Sequence, residues 1–197
     1  MSKRRQDRKV VEPISKERIV VSTDAARRLQ IAREWLEAYS SDTEVVVLAH
    51  SAEAADDFRL RTASERGVWF GVKRYTLNGL AARLAQTALA AAGTASASSL
   101  SFIAVVARAI HSLQSEAKLT YFGPVATRPG FPVAVARTLE ELRMNEVEVE
   151  AIARLARGGS DLAAIARAVE HELEESKLAD RAAILLMWAA RPTLNIA

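Results

Sequence analysis

The 197-residue chain contains no cysteine. That excludes disulfides, thiolate nucleophiles and cysteine-ligated metals, and it fits a reducing, cytoplasmic setting. Long apolar runs are also missing. The longest, Ala182–Ala190, falls far short of the roughly twenty residues that a bilayer-spanning helix needs, so no membrane partner is expected. The opening MSKRRQDRKVVEP has no apolar centre of the secretory kind, and no signal peptide is expected there. A strong charge of one sign is lacking as well. The formal net charge is only +3, and residues 1–18 alone carry seven basic and three acidic side chains. The basic character is therefore that of a tail, residues 1–17, on a near-neutral body. Such a tail reads as a solvated, disordered leader, with contact to nucleic-acid phosphates as the alternative.

Several catalytic patterns are absent too. There is no G-x-S-x-G elbow, so Ser22 is not a hydrolase nucleophile. His50, His111 and His171 share no metal-ligand spacing. Glu175-Ser176-Lys177, taken with Asp161, has the E-x-K spacing of a nuclease. That spacing works on a strand, where positions two apart share a face. Here it falls in a helical pattern, and a helix surface is the preferred reading. Glu140, Glu141, Glu146, Glu148 and Glu150 read as solvated faces.

What is present is an alternation of elements. Half of the residues are apolar, enough for a real core. Ile19–Ser22, Val45–Ala49 and Val68–Val72 are short, β-rich and bounded by polar turns, as strands buried on both faces are. Between them lie helical patterns. Ala25, Leu29, Ala32, Leu36 and Tyr39 form one stripe behind a Thr23 or Asp24 cap. Ala54, Ala55, Phe58 and Arg61 form another behind a Ser51 cap. Strand–helix–strand order predicts right-handed parallel crossovers. From Thr76 onward no strand is expected. Leu77, Leu80, Leu84 and Leu89 predict a helix ending near Gly93, and GTASASS predicts a loop. Further stripes run through Phe102–Leu113, Phe131–Leu142 and Leu162–Leu173, the last behind a Ser160 cap, and Pro192 ends a final apolar helix that wants a partner surface. The expectation is an α/β fold: a small three-stranded parallel sheet with flanking helices over residues 18–95, and a mostly helical half over 96–197.

The first junction, RIVVSTDAARRL (residues 18–29), is where many nucleotide-binding folds carry a glycine-rich loop and a lysine. It has neither. Ser22, Thr23 and Asp24 stand at the phosphate position, and Asp24 puts a negative charge where phosphate would sit. No nucleotide cofactor is expected, and none of any other kind.

The segments EVVVLAHSAEAADDFRLR (44–61) and GVKRYTLNGLAARLA (71–85) resemble successive motifs of UvrD-type helicases, in which turns after parallel strands contact single-stranded DNA. With TRPGFPVAVARTLEELR (127–143), Asp161-Leu162 and Leu178-Ala179-Asp180, the chain resembles the N-terminal region of AddB-type subunits of helicase-nucleases, of the PD-(D/E)XK nuclease family. The resemblance runs from about Ile19 to Asp180. It implies a helicase-like module with a degenerate phosphate loop, serving DNA repair and recombination, whose nuclease domain lies outside this sequence, as if from a truncated copy. It marks His50 and Ser51 as one DNA-facing turn, and Arg74, Tyr75 and Thr76, with Lys73 nearby, as another. At that edge a tyrosine can stack on a base and cations can meet phosphate; the alternative is that Tyr75 packs on the helix and the cations are solvated.

The expected function is therefore a non-catalytic, ATPase-dead module that helps to hold single-stranded DNA or braces a helicase-nuclease partner subunit. Two alternatives stay open: part of a DNA nuclease or helicase with its catalytic domains elsewhere, and an inactive structural fragment.

Overall fold

The computed structural model describes residues 19–40, 43–67 and 71–190. The chain is α/β with small parallel sheets, and it divides into two compact units. One comprises Met1–Val46 and Asp56–Lys73, the other Val47–Ala55 and Arg74–Ala197.

The first element is helix α1, Ala25–Leu36. It begins at Asp24 because that side chain accepts hydrogen bonds from the Ala26 and Arg27 N–H groups, at 2.9 and 3.3 Å. Such a cap is worth about 1 kcal/mol. Of its apolar stripe Leu36 is buried, whereas Leu29 stays exposed. Strand β1, Val45–Ala49, is followed by helix α2, Ala52–Arg66, and strand β2, Val72–Thr76. The Val45 N–H donates to the Gly71 carbonyl at 2.8 Å, and β1 pairs with β2. Ser51 caps α2 through its hydroxyl, which accepts from Ala54 N–H at 3.2 Å. Within the first unit Arg33 of α1 bridges Glu65 of α2 at 3.0 Å.

The expected three-stranded sheet is not formed: the described sheets hold two strands each. Ile19–Ser22 is not a strand, and Ile19 and Val21 are 88% and 91% exposed. Their β-branched side chains favour extended backbone, but a strand exists only where another strand receives its hydrogen bonds. The third expected strand lies later than Val68–Val72, at Val72–Thr76; residues 68–70 of that expectation lie outside the described residues.

The second unit is mainly helical. Helix α3, Leu77–Ala91, starts at Thr76, whose hydroxyl accepts from Gly79 N–H at 3.1 Å. Its buried face is Leu80, Ala81, Ala85 and Leu89, leaving the expected Leu77 exposed. It ends at Gly93, whose positive φ of 63° lets Thr94 N–H return to the Leu89 carbonyl at 2.9 Å. Strands β3, Ala95–Ser96, and β4, Leu178–Ala179, then pair in parallel, which corrects the expectation of a plain loop and of no strand after Thr76. Two-residue strands are too short to leave a periodic pattern.

Helices α4, Ser99–Ser115, and α5, Phe131–Met144, follow, then the short α6, Val149–Ala153, and α7, Gly159–Glu175. The main core joins α4, α5 and α7 through Val105, Val106, Leu139, Ile165 and Val169. Burying each such side chain stabilises by about 2 kcal/mol. The start of α7 differs from expectation: Gly158, left-handed at φ 86°, precedes the helix, and Ser160 lies inside it. Helix α8, Arg181–Ala189, buries Ala182, Ile184 and Leu185, the last two in one cluster with the α3 face, so part of its apolar surface has a partner within the unit. Pro192 lies outside the described residues.

Candidate nucleic-acid interface

The degenerate phosphate position is built from the chain's own side chains. The Ser22 hydroxyl accepts from Asp24 N–H at 3.1 Å, and Asp24 Oδ1 takes the first-turn donors Ala26 and Arg27. Arg28 folds back so that its guanidinium donates to the Ser22 carbonyl. N–H groups that would meet an anion at a phosphate loop already hold a carboxylate. The segment leading into this turn is outside either sheet, so Ser22, Thr23 and Asp24 do not sit at the end of a sheet strand.

His50 and Ser51 follow directly on β1, and Arg74, Tyr75 and Thr76 are the last residues of β2. Because the strands pair in parallel, these two ends share one edge of the sheet. His50 and Arg74 are exposed, while Ser51, Tyr75 and Thr76 are half-buried. Ser51 and Thr76 both spend a hydroxyl lone pair as helix caps, of α2 and α3. The Thr76 hydroxyl retains its donor O–H, whereas that of Ser51 turns to the Glu53 carboxylate. Lys73 lies nearer the start of β2 and pairs with Glu44 in the first unit. The resemblance therefore marks six residues, of which five gather at the C-terminal edge and Lys73 does not.

The electrostatics of that edge include a residue the sequence reading passed over. Glu53, in the first turn of α2, has its carboxyl held below the usual glutamate range. Its own backbone N–H is the main cause, followed by the Ser51 hydroxyl, with a smaller contribution from His50. The S-x-E spacing at the start of the helix was the available signal. This carboxylate stands beside His50 and lowers the local positive potential that a phosphate would meet.

The nuclease-like set does not assemble. Asp161 is 2% exposed, and its carboxylate accepts from Tyr121 N–H at 2.8 Å, Phe122 N–H at 2.9 Å and the Thr120 hydroxyl at 3.2 Å. Glu175, at the far end of α7, pairs with His171 at 3.4 Å. Among the described residues no group of three His, Asp or Glu side chains is placed to hold a metal ion, and no helix is long and apolar enough to cross a membrane. No protein-family model matches this chain, and neither does any curated protein.

Proposed function

We propose that the chain is a non-catalytic module that holds single-stranded DNA or braces a partner subunit of an AddB-type helicase-nuclease. The observation that carries the non-catalytic part is the occupied turn at Ser22–Arg28: a capping carboxylate uses the N–H groups that ATP phosphates would need. The DNA part rests on the resemblance of residues 44–61 and 71–85 to helicase motifs. It is supported by the gathering of His50, Arg74 and Tyr75 at one sheet edge, where parallel sheets offer their binding crevice. Partner contact is favoured by a separate observation, the near-complete exposure of Ile19 and Val21, since β-branched residues in that state suit addition to another strand.

The test is fluorescence anisotropy with a labelled single-stranded oligonucleotide, with calorimetric titration of magnesium-ATP alongside. Salt-sensitive binding without ATP heat is the expected result. ATP turnover that is lost on altering Ser22 or Thr23 overturns the reading in favour of an enzyme.

A further inference from the structure

Tyr121 is 53% exposed and Leu155 58% exposed, and the two, on separate segments, lie 34 positions apart in sequence. The Asp161 carboxylate brings those segments together by accepting the Tyr121 and Phe122 N–H groups. Gly158 completes the junction, because a Cβ there would stand 2.6 Å from the Tyr121 ring and 2.9 Å from that of Phe122. Phe122 in turn meets Tyr121 edge-on, with centroids 5.1 Å apart. Tyr121 is thus an exposed aromatic ring with a rigid backing of glycine backbone and a second ring.

The segments that meet at this junction are basic in sequence. Residues 117–130 contain Lys118 and Arg128 and no carboxylate; residues 151–160 contain Arg154 and Arg157 and no carboxylate. Arg128, Arg154 and Arg157 are exposed, and none forms a salt bridge among the described residues. Lys118 is paired with Glu116, and Glu150, paired with Arg167, also feels the charge of Arg154. The carboxylate at the junction itself, Asp161, faces inward and is fully hydrogen-bonded. Arg157 also holds a left-handed backbone, φ 55°, which costs a non-glycine residue about 1 kcal/mol.

We infer that Tyr121 with Arg128, Arg154 and Arg157 forms a single-stranded nucleic-acid contact surface on the helical unit, separate from the β1–β2 edge. The ring offers a stacking platform that tolerates any base, and exposed guanidinium groups carried by the segments that meet there suit phosphates and base faces. An apolar partner protein would not call for three exposed arginines; a phosphate backbone does. The inference shares with the proposed function the expectation of a nucleic-acid ligand, but not the surface that binds it.

The experiment is salt-dependent anisotropy of the full chain with labelled oligothymidylate, comparing Tyr121→Leu, Arg154→Gln/Arg157→Gly and Tyr75→Leu. Tyr121→Leu keeps apolar packing on Gly158 and is expected to weaken binding roughly fivefold or more with an unchanged salt slope. The double arginine variant is expected to weaken it roughly tenfold and to make the slope shallower by about 1.4, two phosphate contacts' worth on a single strand. Arg157→Gly alone is expected to raise the thermal midpoint, because glycine relieves the left-handed position; weaker binding by a more stable protein separates contact from misfolding. Unchanged affinity in both the tyrosine and arginine variants overturns the inference. So does loss confined to Tyr75→Leu, which would leave the β1–β2 edge as the binding surface, and so does binding to anionic vesicles with none to the oligonucleotide.

Discussion

Arg143 Nε lies 2.7 Å from Asp180 Oδ2, and this pair ties the end of α5 to the start of α8. The same guanidinium reaches Glu170 of α7 at 2.9 Å through Nη1, while Asp180 Oδ1 caps α8 by accepting from Ala183 N–H at 3.0 Å. Asp180 is 2% exposed, so its charge is tolerated only because each oxygen has a donor. Arg143→Met leaves that carboxylate buried without its cation, and a loss of about 3 kcal/mol is expected in urea denaturation. Asp180→Asn keeps an oxygen for the cap and is expected to cost less than Asp180→Ala, which removes cap and pair together. Equal losses in the two Asp180 variants would contradict the capping role.

Asp161 makes a second prediction of this kind. Its three donors come from residues 120–122, about forty positions earlier in the chain. Asp161→Ala leaves two backbone N–H groups, only partly buried, without their acceptor, and a destabilisation of about 2 kcal/mol is expected. Hydrogen exchange would localise the damage: the amides of Tyr121 and Phe122 should lose protection before those of the α4–α5–α7 core.

How much of this was legible beforehand follows the range of each interaction. The Asp24 and Ser51 caps act over two and three residues, and the sequence pattern finds both. The core stripes through Phe102, Val135 and Ile165 were legible because helical periodicity is itself local. Ser160 reads as the α7 cap from short-range chemistry, but the helix already starts at Gly159, behind left-handed Gly158. The Ile19–Ser22 strand failed because β propensity describes a segment, whereas pairing needs an edge elsewhere in the chain. At the candidate interface the resemblance to helicase motifs marks His50 and Ser51, which do follow β1, whereas Arg74, Tyr75 and Thr76, marked as a turn, are the last residues of β2. The Lys73–Glu44 pair is not legible in the sequence, since 29 positions separate its members.

Left-handed residues give a third prediction, one of stabilisation. Ala117 follows α4 with φ 54°, and Lys177 follows α7 with φ 50°. At Ala117 the chain closes as a helix end should, with Lys118 N–H donating to the Leu113 carbonyl at 2.9 Å. Glycine adopts this backbone without the Cβ clash, at some cost in unfolded-state entropy. Ala117→Gly is therefore expected to raise stability by about 0.5–1 kcal/mol. Gly158→Ala should do the reverse, because a methyl group there meets the Tyr121 and Phe122 rings at 2.6 and 2.9 Å. A thermal melt of each variant decides both.

Glu53 supplies a pH-dependent prediction at the β1–β2 edge. Its carboxyl is held low by its own backbone N–H first, then by the Ser51 hydroxyl, with His50 adding a smaller attraction. Folding therefore favours the ionised form. The associated stability is present above the ordinary glutamate pKa and is lost as pH falls through the lowered folded value. A carbon-13 NMR titration of folded protein should place Glu53 below an ordinary glutamate, and Ser51→Ala should move it upward. The same carboxylate opposes phosphate at this edge. If the edge holds single-stranded DNA, Glu53→Gln should tighten binding by roughly two- to fivefold at low salt, with the gain fading as salt screens the charge. Tightening that persists undiminished at high salt would point to a cause other than charge, and no tightening would place the DNA elsewhere on the chain.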